Sequence, residues 1–373
     1  MKKFLLGIFA ISTLSLSAQK GGSSYSDRIQ EAIAHHDAGE YEKAIEIYDE
    51  MIDEFEGDML LHYERGFSYS AMNNCEDAIE DFKLAIEYGN PTDERQVSTI
   101  RQSYIAYANC LDDIGNSRAA VQQYEDALET LGPDYLLYYN WGITLERLEE
   151  LEEAEAKMLE ALTLNPFHSS SMFRLSILQY NRGASDTKQL SNFLWMLLLE
   201  ESPTRRSVAN SGFDGAWESM VSGNESGGLN INISSDTDER DEAFQNSDFM
   251  LGLMYASLGT IDEKLDSVLN QEGAESAAHE FSENMETRAD YIRALAMSLQ
   301  GLEDADLGFY WNLITKIIVE TKDSEHFVPF VYWVSQNYDE DADEWISENN
   351  AQVEAMAQWL SSRIQISMEE MQE

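Results

Sequence analysis

The residues best suited to bind a metal or move a proton near neutral pH are the six histidines, His35, His36, His62, His168, His279 and His326. They are scattered, and no pair has the His-Glu-x-x-His spacing that sets two zinc ligands on one helical face beside a general base. The sequence has no Gly-x-Ser-x-Gly nucleophile elbow and no phosphate loop ending in Gly-Lys-Ser/Thr. Neither Cys75 nor Cys110 lies in a His-bearing catalytic signature. Asp and Glu number 70 against 24 Lys and Arg, so paired carboxylates occur by composition alone and say little about acid–base catalysis. The sharpest metal candidate is Asp339-Glu340-Asp341-Ala342-Asp343, whose alternate acids could converge on calcium. Its sixth residue is Glu344 where a calcium loop needs Gly, and its twelfth is Asn350 where the loop needs a bidentate Glu. The run reads better as an acidic helix start, favoured by the helix dipole. No catalytic residue, metal ligand or cofactor is assigned, and the chain is read as a non-enzyme.

The formal net charge of −46 over 373 residues repels nucleic acid and anionic lipid. It favours cationic partners, divalent ions or a saline medium that screens self-repulsion. Met1-Lys2-Lys3 followed by the short apolar run Phe4 to Leu16, closing on Leu14-Ser15-Leu16-Ser17-Ala18, predicts a cleaved signal peptide over 1–18, hence a periplasmic or secreted protein. No cysteine follows to receive a lipid. The most apolar later stretch, Phe193 to Leu199, is closed by Glu200 and Glu201 and is too short to span a bilayer. Two cysteines do not make a disulfide scaffold, and Cys75 and Cys110 are read either as buried thiols or as one bond between successive repeats.

The elements that would carry a binding site repeat. Gly66-Phe67-Ser68-Tyr69 is followed by Ala78, Phe82 and Ala85. Trp141-Gly142 is followed by Leu145, Ala154, Met158, Ala161 and Pro166. Ala32, Ala44, Tyr48 and Met51 match them upstream, and Ala108, Leu111, Ala120, Tyr124 and Ala127 between. Ala44 to Ala78 and Ala120 to Ala154 are each 34 residues, while Ala78 to Ala120 is 42, eight more, which fit a loop at Gly89 to Gln96. Each unit holds two stretches of helical periodicity, with a small residue where the helices must touch and an aromatic one turn on. Pro91, Pro133, Pro166 and Pro203 fall where units end. A fifth unit, Ser170 to Glu201, keeps the length but has Lys188 at the small position, and reads as a degenerate closing unit with an unburied outer face.

This period and these residue types resemble the tetratricopeptide repeat (TPR) family over about residues 25–201. The resemblance implies an all-α solenoid of four to five helical hairpins whose first helices line a groove. That groove would present Ile29, Ile33 and His36, then Tyr63, Phe67 and Ser70, then Ile105, Asn109, Asp112 and Asp113, then Tyr139, Ile143, Glu146 and Arg147. The Lys, Arg and Asn set with which some TPR domains hold a carboxylate tail is absent, since Ile29 and Ile33 stand in the first unit. An apolar, aromatic lining with acidic edges suits a polypeptide with apolar anchors and basic flanks. Alternatively, these residues pack against neighbouring helices or against the chain's own tail.

The organisation expected is a repeat array over 25–203, a Gly/Ser/acidic linker over 204–246, and a helical, aromatic-rich region over 247–373. In the linker, Gly212, Gly215, Gly223, Gly227 and Gly228 interrupt helical period, and Leu229-Asn230-Ile231-Asn232-Ile233-Ser234 either alternates as a short strand or hairpin would or belongs to a disordered linker. Helices are predicted over Asp248 to Leu258, Ala274 to Leu299, Leu307 to Thr321 and Ala342 to Met368. The expected function is a scaffold that binds another protein. Its rivals are an enzyme with its site in the C-terminal half and an assembly protein whose groove its own tail fills.

Overall fold

The computed structural model describes residues 24–223, 229–231, 242–258, 283–302 and 307–370. The expected signal peptide, residues 232–234 of the expected strand, the acidic stretch before Glu242 and the start of the helix expected from Ala274 lie outside them. The chain forms two compact units that divide between Ile114 and Gly115.

The first unit holds α1 (Tyr25–Asp37), α2 (Tyr41–Glu54), α3 (Met59–Ala71), α4 (Cys75–Tyr88) and α5 (Glu94–Asp113). Their starts are written in the side chains that precede them. Ser24 and Asp27 close a capping box, and Asp58, Asn74 and Asp93 each accept a backbone N–H of the helix they open. Ala32, Ala44, Tyr48, Met51 and Leu61 form the buried seam between the first helices. A β-carbon on Gly66 would fall 2.9 Å from the Phe82 ring, so the small residue is what lets α3 and α4 nest. The extra eight residues of the 42-residue spacing do not form a long loop. Helix α5 starts at Glu94 and runs 20 residues, against 13 for α3, so most of the insertion extends a helix.

The second unit opens with α6 (Ser117–Leu131), α7 (Tyr135–Arg147), α8 (Leu151–Leu164), α9 (Ser169–Arg182) and α10 (Asp186–Leu199). Gly142 repeats the device of Gly66, its absent β-carbon making room for the Met158 methyl. Next come α11 (Pro203–Ser219), a ribbon of β1 (Val221–Gly223) and β2 (Leu229–Ile231), α12 (Glu242–Leu258), α13 (Glu283–Gln300), α14 (Phe309–Lys322), α15 (Phe327–Val334), α16 (Glu340–Glu348) and α17 (Asn350–Glu370). Val221 pairs with Ile231 and Gly223 with Leu229, antiparallel.

Several sequence expectations fail in this unit for identifiable reasons. The fifth hairpin is not an open-faced closing repeat. Residues Asp186 to Leu198 of α10 are all buried, because α9, α11, α12, α13, α14 and α15 all pack on that helix. Lys188 is only 6% exposed and lies over the rings of Phe244 and Trp311, at 5.1 and 5.8 Å, a cation–π seat instead of a small contact. Residues 204–219 of the expected linker are helix, part of Pro203–Ser219. Pro203 sits at the start of α11, where a missing N–H costs nothing. Gly212 is there for proximity: a β-carbon would meet the Phe193 ring at 2.3 Å. The predicted helix Ala342 to Met368 is two helices, parted at Asn349, whose side-chain amide donates to the Trp345 carbonyl that ends α16. Helix α15 has no counterpart among the predicted helices.

Arg206 ties this unit together. It is buried, and its guanidinium donates to Leu197 O (2.6 Å) and Glu200 O (2.8 Å) at the end of α10, and to Trp333 O (2.7 Å) and Gln336 O (3.4 Å) at the end of α15. One planar fork of donors thus satisfies carbonyls that two helix ends leave open. Trp333 completes the tie by donating its Nε1 to Leu198 O at 2.8 Å.

Candidate protein-binding surface

In the first unit, α1, α3 and α5 are neighbours, as the first helices of successive hairpins. Helix α3 is held at its start by Asp58, which caps Leu60 N and accepts the Tyr25 hydroxyl at 2.9 Å. On its flank, Arg65 grips Asp81 with two nitrogens (2.8 and 2.7 Å) and Asp49 with a third (2.6 Å), joining α3 to α4 and α2. The residues between these anchors are therefore presented at fixed positions.

They form an aromatic row. His36 stacks on Phe67 with centroids 4.8 Å apart and planes at 20°, and Phe67 stacks on Tyr63, one helical turn back, at 6.2 Å and 13°. Phe67 is 44% exposed. His36 Nδ1 lies 2.9 Å from Ser68 Oγ, and Ser68 donates its own hydrogen to Glu64 O at 3.1 Å. The Ser68 oxygen must then accept from His36, which puts the imidazole proton on Nδ1. Burial lowers the His36 pKa, opposed by Asp37, which favours the neutral ring that stacks as an aromatic.

Not every expected lining residue is available. Ile29 and Ile105 are each 8% exposed and Asp112 is 7% exposed; Ile29 belongs to the seam with Ala32 and Tyr48, and Ile33 packs against it. These are core positions: a residue on an inward-curving helix face can serve the next helix as readily as a ligand. Asn109 and Asp113 are exposed. Ser70 Oγ lies 3.6 Å from the Cys110 thiol. Cys75 and Cys110 are buried free thiols, and burial first, then Cys75, pushes the Cys110 thiol up to about 12.

In the second unit Tyr139 meets the edge of His168 at 4.9 Å, and Tyr139 and Ile143 pack against the unit's core. Glu146 accepts from Arg174 at 3.3 Å, burial raising its carboxyl against that pull. Arg147 is exposed.

A carboxylate that sequence reasoning passed over stands in the aromatic row. Glu64 is partly buried, and among the described residues its carboxylate has no hydrogen-bond or ion-pair partner. Burial first, then Asp37, pushes it up to about 7. It also lifts the Tyr63 hydroxyl, pushed up to about 12 mainly by burial. The signal was legible: Glu64 follows Leu60 by four residues and precedes Phe67 by three, so it shares their helical face.

The second unit has its own cluster of buried polar groups. Asp248 of α12 accepts from Ser185 Oγ (2.9 Å) and Thr187 N (2.8 Å), capping α10 from a separate helix. Asp186 beside it is pushed up to about 7, first by burial and then by Asp248. The acidic run from Asp339 is the start of α16, with Asp339 accepting from Asp341 N at 2.9 Å. Among the described residues no three His, Cys, Asp or Glu side chains are grouped so as to hold a metal, and no helix is long and apolar enough to cross a membrane.

Residues 108–184 match a family model described as tetratricopeptide repeat. Comparison with curated proteins finds no match. Among solved structures, the chain is similar to a MamA fragment, residue 41 to the end, from Desulfovibrio magneticus RS-1, with 15% identity, 53% of this chain and 95% of that one covered, and a TM-score of 0.37. It is also similar to TTC0263, a thermophilic TPR protein of Thermus thermophilus, with 17% identity, 51% and 98% coverage and a TM-score of 0.38. YrrB, described as a TPR protein with an unusual peptide-binding site, gives 16% identity, 52% and 89% coverage and a TM-score of 0.34. Its paired helices with Gly and Ala contacts are the arrangement of a helical-hairpin repeat, and over residues 108–184 the sequence matches the tetratricopeptide repeat model.

Proposed function

We propose that this protein is a non-enzymatic scaffold that holds a partner polypeptide on the first helices of its hairpins, in the periplasm or outside the cell. One observation carries the reading. Helices α1 and α3 present an ordered row of rings, His36, Phe67 and Tyr63, with Phe67 exposed, and a contiguous aromatic patch with polar neighbours is the kind of surface that partners cover. Rigid aromatic side chains fixed by a helical frame lose little entropy on binding and supply most of the energy at protein interfaces. Within the set Ile29, Ile33, His36, Tyr63, Phe67, Ser70, Ile105, Asn109, Asp112 and Asp113, the exposed and half-exposed members are the contact residues, and Ile29, Ile105 and Asp112 shape the frame beneath them. Tyr139, Ile143, Glu146 and Arg147 offer a second, more polar patch. The partner suited to this lining carries apolar anchors and basic flanks.

Affinity capture from envelope extracts, run with the unaltered chain and with a Tyr63→Ala, Tyr139→Ala variant, tests the proposal. The expected result is loss of specific partners with the variant. Recovery of identical partners by both forms would overturn it.

A further inference from the structure

Glu64 is out of place by ordinary rules. Its carboxylate is partly withdrawn from water with no donor to offset the loss, while the Asp58 cap and the Arg65 pairs hold the helix that carries it. The residues around it have a consistent chemistry. Tyr63 and Phe67 offer ring faces from the same helix, and His36 continues the stack. Asp37, the last residue of α1, adds a second negative charge that acts on Glu64. Tyr48 of α2 is fully buried, its hydroxyl has no hydrogen-bond partner, and it lies in the field of both Glu64 and Asp37. The one Arg on α3, Arg65, is committed to Asp81 and Asp49.

From this juxtaposition we propose that the Glu64 site is a receptor for an arginine side chain of the partner polypeptide, with Glu64 and Asp37 supplying charge, Phe67 and Tyr63 supplying stacking faces, and the Tyr48 hydroxyl completing the Glu64 carboxylate. A guanidinium is planar, donates in a fork that matches a carboxylate, and is weakly enough hydrated to lie on an aromatic face. A lysine ammonium gains less here, because it is a compact, strongly hydrated charge that cannot stack. The proposal rests on the binding surface argued above and specifies one ligand side chain for it.

The probe is N-acetyl-arginine methylamide, compared with its citrulline counterpart, which keeps shape and hydrogen-bonding but has no charge. Each is titrated into the full chain carrying ring-labelled phenylalanine, and the Phe67 signal, assigned with Phe67→Leu, is followed by NMR. The arginine amide is expected to shift Phe67 saturably while the citrulline amide does not. Glu64→Gln is expected to weaken that response at least about tenfold, the loss of one charge-assisted contact, with Tyr48→Phe weakening it less. Equal responses to both amides, no response to either, or an unchanged arginine response in Glu64→Gln would each overturn the site. The two proposals part cleanly. If capture is lost in the Tyr63→Ala, Tyr139→Ala variant but the arginine amide leaves Phe67 unmoved, the binding surface stands and its arginine site falls. If Phe67 responds but capture is unchanged, the site stands and the wider surface falls.

Discussion

Helices α3 and α10 each belong to one of the hairpins, but they solve opposite problems. Helix α3 buries Leu61, His62, Gly66 and Ser68 and leaves Phe67 open; α10 buries everything from Asp186 to Leu198. Both sites also hold a carboxyl pushed up to about 7 by burial, Glu64 in one and Asp186 in the other. In α10 the neighbouring polar groups close on one another, Asp248 capping the helix and Asn192 accepting from Tyr310 Oη at 2.6 Å. In α3 the carboxylate is left without a donor. The contrast separates polar groups that complete a core from a carboxylate left open beside exposed rings.

The largest effect that would sharpen the contrast comes from the enclosed helix. Trp195 is buried and donates to Pro166 O at 3.1 Å, so Trp195→Ala is expected to cost about 3–5 kcal/mol through cavity and lost contacts. All seven tryptophans follow Gly115, so tryptophan fluorescence during urea unfolding reads this unit by itself. Gly212→Ala should cost about 1–3 kcal/mol in the same assay, because its methyl would enter the Phe193 ring.

A third test uses pH. A carboxyl whose folded pKa is raised holds its proton harder when folded, so its stabilising contribution is full below the unfolded value and is lost as pH rises through the folded one. For Asp186 that window runs from 3.8 to about 7. Stability of the second unit is expected to fall by about 1–2 kcal/mol between pH 5 and pH 8, and Asp186→Asn to flatten that fall. An unchanged slope in the variant would place the charge elsewhere. The smallest effect belongs to the open helix. Phe67→Ala should change unfolding, followed by far-ultraviolet circular dichroism, by no more than about 0.5 kcal/mol. A larger loss would make Phe67 a core residue and erase the distinction.

The repeat was legible because its constraints are local. A Gly or Ala at each close approach, Tyr48, Phe82, Tyr124 or Met158 one turn on and a proline past all unit ends but the first leave a 34-residue trace whatever lies outside. The surroundings of α10 were less legible. Lys188 reads as an error in the repeat until Phe244 and Trp311, distant in sequence, supply rings beneath it. Gly212 reads as a helix breaker because sequence shows the missing side chain and not Phe193 filling its place. The continuous apolar run from Phe193 did carry information. A helix apolar on all sides is wrapped on all sides, which was evidence against an open-faced final repeat. At the proposed binding surface, spacing put Phe67 and Ile29 on the same lining and could not separate them, since only the packing of adjacent helices decides which one is covered.

Arg206 bears on how the chain is made. The carbonyls it joins come from Leu197 and Glu200 on one side and from Trp333 and Gln336 on the other, the latter pair 136 residues later in synthesis. The hairpins of the first unit can close as they emerge, each from neighbouring residues, whereas α10 stays an apolar rod with open ends until nearly the whole polypeptide has appeared. Long-range closure of this kind is slow and leaves sticky surface exposed meanwhile. A chain cut between Leu199 and Trp333 should therefore need a chaperone to stay in solution, while one cut after its first hairpins should not.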